Sequence, residues 1–185
     1  MGATASACSK DSNQAEGRPR RTTTTERETT TTTLDPVEAE KQAVIAAYDA
    51  ALQAETDSTA APESNPDNPA IAATHTGPML SFWVAQVTGY KREGSVSRLP
   101  ENSVSRHEVE SVSFGEDQGQ QVAYLEVCTV GDGEQVIVAT GAVVSTGGVD
   151  TVQSTNAMVN EDGVWKLAEQ RVNSRWEGVA GCAAG

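Results

Sequence analysis

From Gly94 to the end of the chain, apolar and polar side chains alternate, and the pieces that interrupt the alternation are too short to cross a sheet. By this period of two, Val104–Phe114, Gln120–Val130, Gln135–Ser145, Val149–Asn160 and Val164–Trp176 read as successive strands. Between them stand Gly115-Glu116-Asp117-Gln118-Gly119, Gly131-Asp132-Gly133, Gly147-Gly148 and Glu161-Asp162-Gly163, all built from turn residues. A parallel neighbour needs a crossover of about a dozen residues or more, so the strands must run antiparallel, as a meander of long strands.

Upstream of Gly94 the period is helical. Asp35 is a preferred N-cap and Pro36 suits a first helical turn. Val37, Val44, Ile45, Tyr48 and Leu52 then recur at helical spacing among many alanines, and the helix is expected to fade near Thr56. Residues 57–70, with Pro62, Pro66 and Pro69 among acids and amides, read as a loop. A second helix starts at Thr76-Gly77-Pro78, carries Met79, Leu80, Trp83, Val84 and Val87 on one face, and ends between Gly89 and Gly94. Helices first and an antiparallel sheet after them predict an α+β domain, two or three helices packed on one face of a curved sheet.

The first residues are of another kind. Residues 1–33 hold five basic and four acidic groups, whereas the remaining 152 hold eight basic and 22 acidic groups, a net −14. So acidic a domain lacks the footprint that grips phosphate backbones, which excludes nucleic acid as an expected partner. Residues 9–35 include Thr22–Thr25 and Thr29–Thr33 with almost no apolar side chains, and cannot offset the entropy of ordering. They read as a disordered tether, or a glycosylated stalk. Ahead of it, Ala5-Ser6-Ala7-Cys8 has the small residues that precede a lipidated cysteine, so residues 1–8 read as the remnant of a lipoprotein signal with Cys8 as the lipidation site. The basic start and apolar core of such a signal are missing. Either the start codon lies further upstream, or Cys8 is an ordinary residue of a cytosolic tail. The sequence has no apolar run of about 18 residues, so membrane contact is expected through a lipid anchor alone.

Taken as a whole, the domain of residues 36–185 resembles, over about residues 36–183, the nuclear transport factor 2-like cone, the fold of ketosteroid isomerases and small polyketide cyclases. More narrowly they resemble its secreted and lipoprotein members from actinobacteria. The resemblance rests on Ala46-Ala47-Tyr48, Asn65-Pro66-Asp67-Asn68-Pro69, Glu126-Val127-Cys128, Asp162-Gly163-Val164-Trp165-Lys166 and the ending Trp176-Glu177-Gly178-Val179-Ala180-Gly181-Cys182. It implies a cone-shaped fold, an extracytoplasmic location and a Cys128–Cys182 disulfide, with no particular activity. Independently, Cys182 could reach Cys128 if the tail folds back over the sheet; the alternative is two free thiols in a reducing cytosol. The cysteines lack the paired spacing and histidine partners of a zinc site, and no cofactor is expected.

Catalytic relatives of such a cone place a carboxylate or histidine in the interior as a general base. Here His75 reads as a cap or loop residue, His107 as a solvent-facing strand residue and Asp49 as exposed, about 100° round the helix from Tyr48. Tyr48, Trp83, Tyr124 and Glu126 are the candidate cavity-lining residues. Tyr124, Glu126 and Cys128 share one strand face and Ala123, Leu125 and Val127 the other, and alternation alone leaves open which face is inside. With no nucleophile elbow, phosphate loop or metal cluster in the sequence, no catalytic residue is assigned. The expected role is a noncatalytic binding or assembly module on the cell envelope, its partner an envelope protein or a small apolar ligand, with a homodimer through the open sheet face as a further option. A small cone-fold enzyme acting on an apolar substrate in the cavity is the alternative, as is a cytoplasmic location.

Overall fold

Asp35 opens the first helix by the chemistry expected of it: its Oδ1 accepts the Val37 backbone N–H at 2.9 Å, and helix α1 runs Pro36–Thr59. The computed structural model describes residues 35–182, so Cys8 and the tether up to Leu34 lie outside the described residues. Helix α1 buries Val44, Tyr48, Ala51, Ala54 and Ser58 along one stripe. It continues three residues beyond Thr56, and its last turn is tied to the segment that follows. Ser58 Oγ donates to the Ala54 carbonyl at 2.6 Å and accepts from Asn68 Nδ2 at 2.9 Å.

That same Asn68 corrects the reading of 57–70 as loop throughout. Its Oδ1 caps the Ala70 N–H at 3.0 Å and starts a short helix, α2, at Pro69–Thr74. Helix α3 follows at Gly77–Glu93 and is stopped by Gly94, whose φ of 62° is a left-handed conformation that costs a glycine nothing. The backbone N–H of Thr76 donates to the Leu167 carbonyl at 3.0 Å, which ties the start of α3 to the last strand.

Seven strands follow: β1 Ser95–Arg98, β2 Arg106–Asp117, β3 Gln120–Gly131, β4 Glu134–Ile137, β5 Val143–Thr146, β6 Asp150–Glu161 and β7 Val164–Glu177. The long ones form an antiparallel sheet in the order β2-β3-β6-β7 that does not close into a barrel. Register shifts at Val109/Ser111, Gln153/Ser154 and Ala157/Met158 mark bulges, which bend a strand and sharpen its twist.

One expected strand is absent from this sheet. Residues 135–145 do not continue the meander as one strand. The carbonyl of Ile137 accepts from Gly141 at 2.8 Å and its N–H donates to Ala142 at 2.9 Å, closing a turn that splits the segment into β4 and β5. These pair with β1 in a separate three-stranded sheet, β1-β4-β5, and β3 lies directly against β6.

Ala123, Leu125 and Val127 of β3 face the helices and form the core with Val44, Tyr48, Ala51, Met79, Met158, Trp165 and Leu167. Burying aliphatic side chains of this size is worth about 1.5–3 kcal/mol each, so the apolar set of β3 takes the helix side. That decision turns Tyr124, Glu126 and Cys128 to the other face. Over that face the tail returns, and Cys182 is bridged to Cys128 with the two Cα atoms 5.8 Å apart.

Candidate functional site

Helix α1 and the inner face of the long sheet diverge at one end and leave a cavity of about 570 Å³ between them. Positions 48, 52, 55 and 56 lie on one face of α1 and supply Tyr48, Leu52, Glu55 and Thr56. Opposite them the sheet contributes His107, Thr129, Val152, Ser154, Gln170, Val172 and Arg175, with Arg106 at the rim. Depth sorts these residues. Tyr48 and Ser154 are buried at the floor, whereas Arg106, Gln170, Val172 and Arg175 are exposed at the mouth.

Two features of the floor bear on chemistry. The first is Glu55, whose Oε1 lies 3.0 Å from Nε2 of His75, a fully buried ring. On its other side, Nδ1 of His75 is 3.2 Å from the Ile71 carbonyl and 2.9 Å from Thr74 Oγ1. The threonine hydroxyl already donates to the Ala70 carbonyl at 2.7 Å, so Nδ1 faces two acceptors and must carry a hydrogen. The Glu55–His75 contact therefore needs a further proton, held on either partner. Burial raises the Glu55 pKa above the ordinary glutamate range, against the opposing pull of the imidazole. The Trp83 indole lies near the same carboxyl and also favours its charged form, yet Nε1 makes no hydrogen bond of good geometry.

The second feature is Tyr48. Burial, helped by the charges of Glu55 and Asp49, pushes its phenol well above the usual range, so it stays protonated and is a donor. Its ring packs edge-on to His107 at 6.0 Å, and its hydroxyl lacks a hydrogen-bond partner among the described residues. Next to it, the Ser154 hydroxyl accepts from Asn156 Nδ2 at 3.0 Å, while Asn156 Oδ1 is buried without a partner.

The residues singled out from sequence fall in several places. Tyr48 lines the cavity and is also core. Trp83 lines a smaller hollow of about 270 Å³ that shares Glu55 as a wall. Tyr124 and Glu126 do not line the cavity: they stand on the opposite sheet face. There Glu126 accepts from Thr155 Oγ1 at 2.7 Å and Asn173 Nδ2 at 3.1 Å. Asp49 is exposed and bonded at 2.9 Å to His107 Nε2, which brings His107 to the rim of the cavity. His75 does cap helix α2, but inside the protein.

Glu55 was missed from sequence, although a signal existed. It continues the buried stripe Val44, Tyr48, Ala51 by helical spacing, and an acid on an apolar stripe needs a partner. Nothing local pointed to Arg106, Ser154, Gln170 or Arg175, because strand alternation does not reveal which face is inside.

A second hollow, of about 1000 Å³, lies beside the disulfide, between the tail and the outer sheet face. Its walls include Arg106, Glu108, Glu110, Gln153 and the segment Val179–Cys182, and Gln153 Nε2 donates to Glu110. Glu110 there sits within reach of Cys128 and Cys182, but bridged sulfurs have no thiolate to give a metal. No helix among the described residues is long and apolar enough to cross a membrane.

The chain matches no protein-family model, and no curated protein is similar to it at a significant level. Among solved structures it is similar to the intermembrane space region of the chloroplast protein ARC6. The TM-score is 0.53 at 17% identity, over 76% of this chain and 97% of that one. At such low identity the likeness concerns the fold alone.

Proposed function

We propose that this chain is a surface-displayed binding protein of the nuclear transport factor 2-like cone type. A lipid on Cys8 holds it to the outside of the cell membrane, the threonine-rich segment spaces it away, and the cone takes a small, largely apolar molecule. The observation that carries the binding role is the cavity itself. It is of ligand size, lined in part by Leu52, Val152 and Val172, with the Tyr48 hydroxyl free of protein partners among the described residues. The disulfide supports the location, since such bridges persist where the surroundings are oxidising. A noncatalytic role is supported by how the acid–base groups are spent: Glu55 on His75, Asp49 on His107.

The second reading, a small cone-fold enzyme, draws on the same Glu55–His75 contact. A buried pair holding a proton beside a cavity is where a general base would sit.

Two measurements test the proposal. Expression in the native host with the natural upstream region, followed by mass spectrometry, should yield a diacylglyceryl Cys8 peptide and a bridged Cys128–Cys182 peptide. An unmodified Met1 with free thiols would overturn the envelope location. Separately, N-phenyl-1-naphthylamine, an uncharged dye that brightens in apolar sites, should bind saturably. Leu52→Trp, or Val172→Trp at the rim, should block it. A dye signal unchanged in both variants would overturn the cavity as the binding site.

A further inference from the structure

We infer that the cavity selects an organic anion, an acid group on an apolar body, with Arg106 as the residue that recognises the charge. The inference rests on the small-molecule reading above and deepens it.

The argument begins with where the few cations are. The region after Thr33 has eight basic residues against 22 acidic ones, and two of the eight, Arg106 and Arg175, line the mouth of this cavity; Arg106 stands at the sheet edge and also borders the hollow of Glu108 and Glu110 on the outer face. The acids near the cavity are already matched. Asp49 is bonded to His107 at 2.9 Å, Asp150 to Arg175 at 2.8 Å, and Glu55 to His75 at 3.0 Å. Arg106 has no such match. Among the described residues no carboxylate lies within ion-pair distance of it, and its one hydrogen bond is a long contact of 3.4 Å from Nη1 to the Val104 carbonyl. Lys41, Arg98, Lys166 and Arg175 each have an acidic partner. Lys91, Arg92 and Arg171 have none among the described residues, but of the four without one Arg106 alone lines this cavity.

The remaining polar groups point the same way. Arg175 spends one nitrogen on Asp150 and keeps further N–H groups, Gln170 offers an amide at the mouth, and the Tyr48 and Ser154 hydroxyls offer O–H donors at the floor. A cavity with an apolar strip of Leu52, Val152 and Val172 among several donors is complementary to a molecule with an apolar body and acceptor groups. The guanidinium fork, with parallel N–H groups, fits the oxygens of a carboxylate or sulfonate.

The probe pair is octanoate and octanol, which share a chain and differ in the charged end. Each displaces N-phenyl-1-naphthylamine from the full-length, disulfide-intact protein in low-salt buffer. Octanoate should displace the dye at about tenfold lower concentration than octanol, the range of one charge-assisted hydrogen bond at a partly exposed site. Arg106→Gln should reduce that ratio to about twofold and leave octanol unchanged, while Lys91→Gln, at a residue that does not line the cavity, should alter neither. Equal displacement by acid and alcohol in the wild type, or a ratio that survives Arg106→Gln, would overturn anion selection while the cavity still binds the dye. A dye that does not bind at all would instead sink the small-molecule reading, and this inference with it.

Discussion

Glu55 carries a cost that depends on pH, and the sign follows from its environment. Burial raises its folded pKa above the value it has in the unfolded chain, so the folded state holds the proton more tightly. Stability linked to this group is therefore full below the unfolded value and is lost as pH rises through the folded one. Glu55→Gln keeps an N–H to offer Nε2 of His75 and removes the titration. Thermal melts from pH 4 to pH 8 should show the variant gaining on the wild type as pH rises; parallel curves would mean that Glu55 is as well solvated folded as unfolded. Tyr48 makes the opposite case. Its hydroxyl has no protein partner among the described residues, so Tyr48→Phe should change stability by less than about 0.5 kcal/mol. A loss of about 1.5 kcal/mol or more in a urea melt would show that the hydroxyl is bonded within the fold after all.

Among the elements, the return of the tail is the one held by the most specific contacts. Gly178 N–H donates to the Val149 carbonyl at 2.6 Å and Thr151 Oγ1 donates to the Gly178 carbonyl at 2.6 Å. Gly181 is needed because a Cβ there would lie 2.5 Å from the Trp176 ring and 2.8 Å from the Thr151 Cβ. The disulfide then closes a loop of 54 residues, for which the chain-entropy model gives about 4 kcal/mol as an upper value. Cys128→Ser combined with Cys182→Ser should lower the urea midpoint accordingly, and a reducing agent should do the same to the wild type; a wild type indifferent to reductant would show no bridge in solution. How legible each element was depended on whether its signal was local. Asp35 and Gly94 announce helix ends by a side chain or the lack of one, and those ends stand where expected; Thr76 also opens α3, although its hydroxyl donates to Glu161 rather than to the helix. The alternation of 135–145 suited a long strand equally well, and only the pairing of β3 with β6 and of β4 with β1 decides otherwise. Such pairing joins residues distant in sequence and leaves no mark within the segment.

At the scale of the molecule, the cavity was the least legible feature and the charge the most. The cavity draws on α1, β2, β3, β6 and β7, and its inner face is chosen by which strand residues bury more apolar area, a sum over the whole sheet. The net −14 after Thr33 needs no fold to be counted, and it has a consequence for the fold. The four long strands carry nine acids, Glu108, Glu110, Glu126 and Glu169 among them, against four cations, and like charges held on a compact body repel more than on an expanded chain. Dissolved salt screens that repulsion over about 10 Å at 0.1 M. Raising sodium chloride from about 10 mM to 0.3 M should therefore raise the melting temperature by about 3 °C, equivalent to about 1 kcal/mol for a domain of this size. Sodium sulfate at the same ionic strength separates screening from surface exclusion, because exclusion would make sulfate the stronger stabiliser. Equal rises in the two salts are the expected result. A melting temperature that falls with sodium chloride would mean that pairs such as Arg98–Glu134 and Lys166–Glu161 outweigh the repulsion.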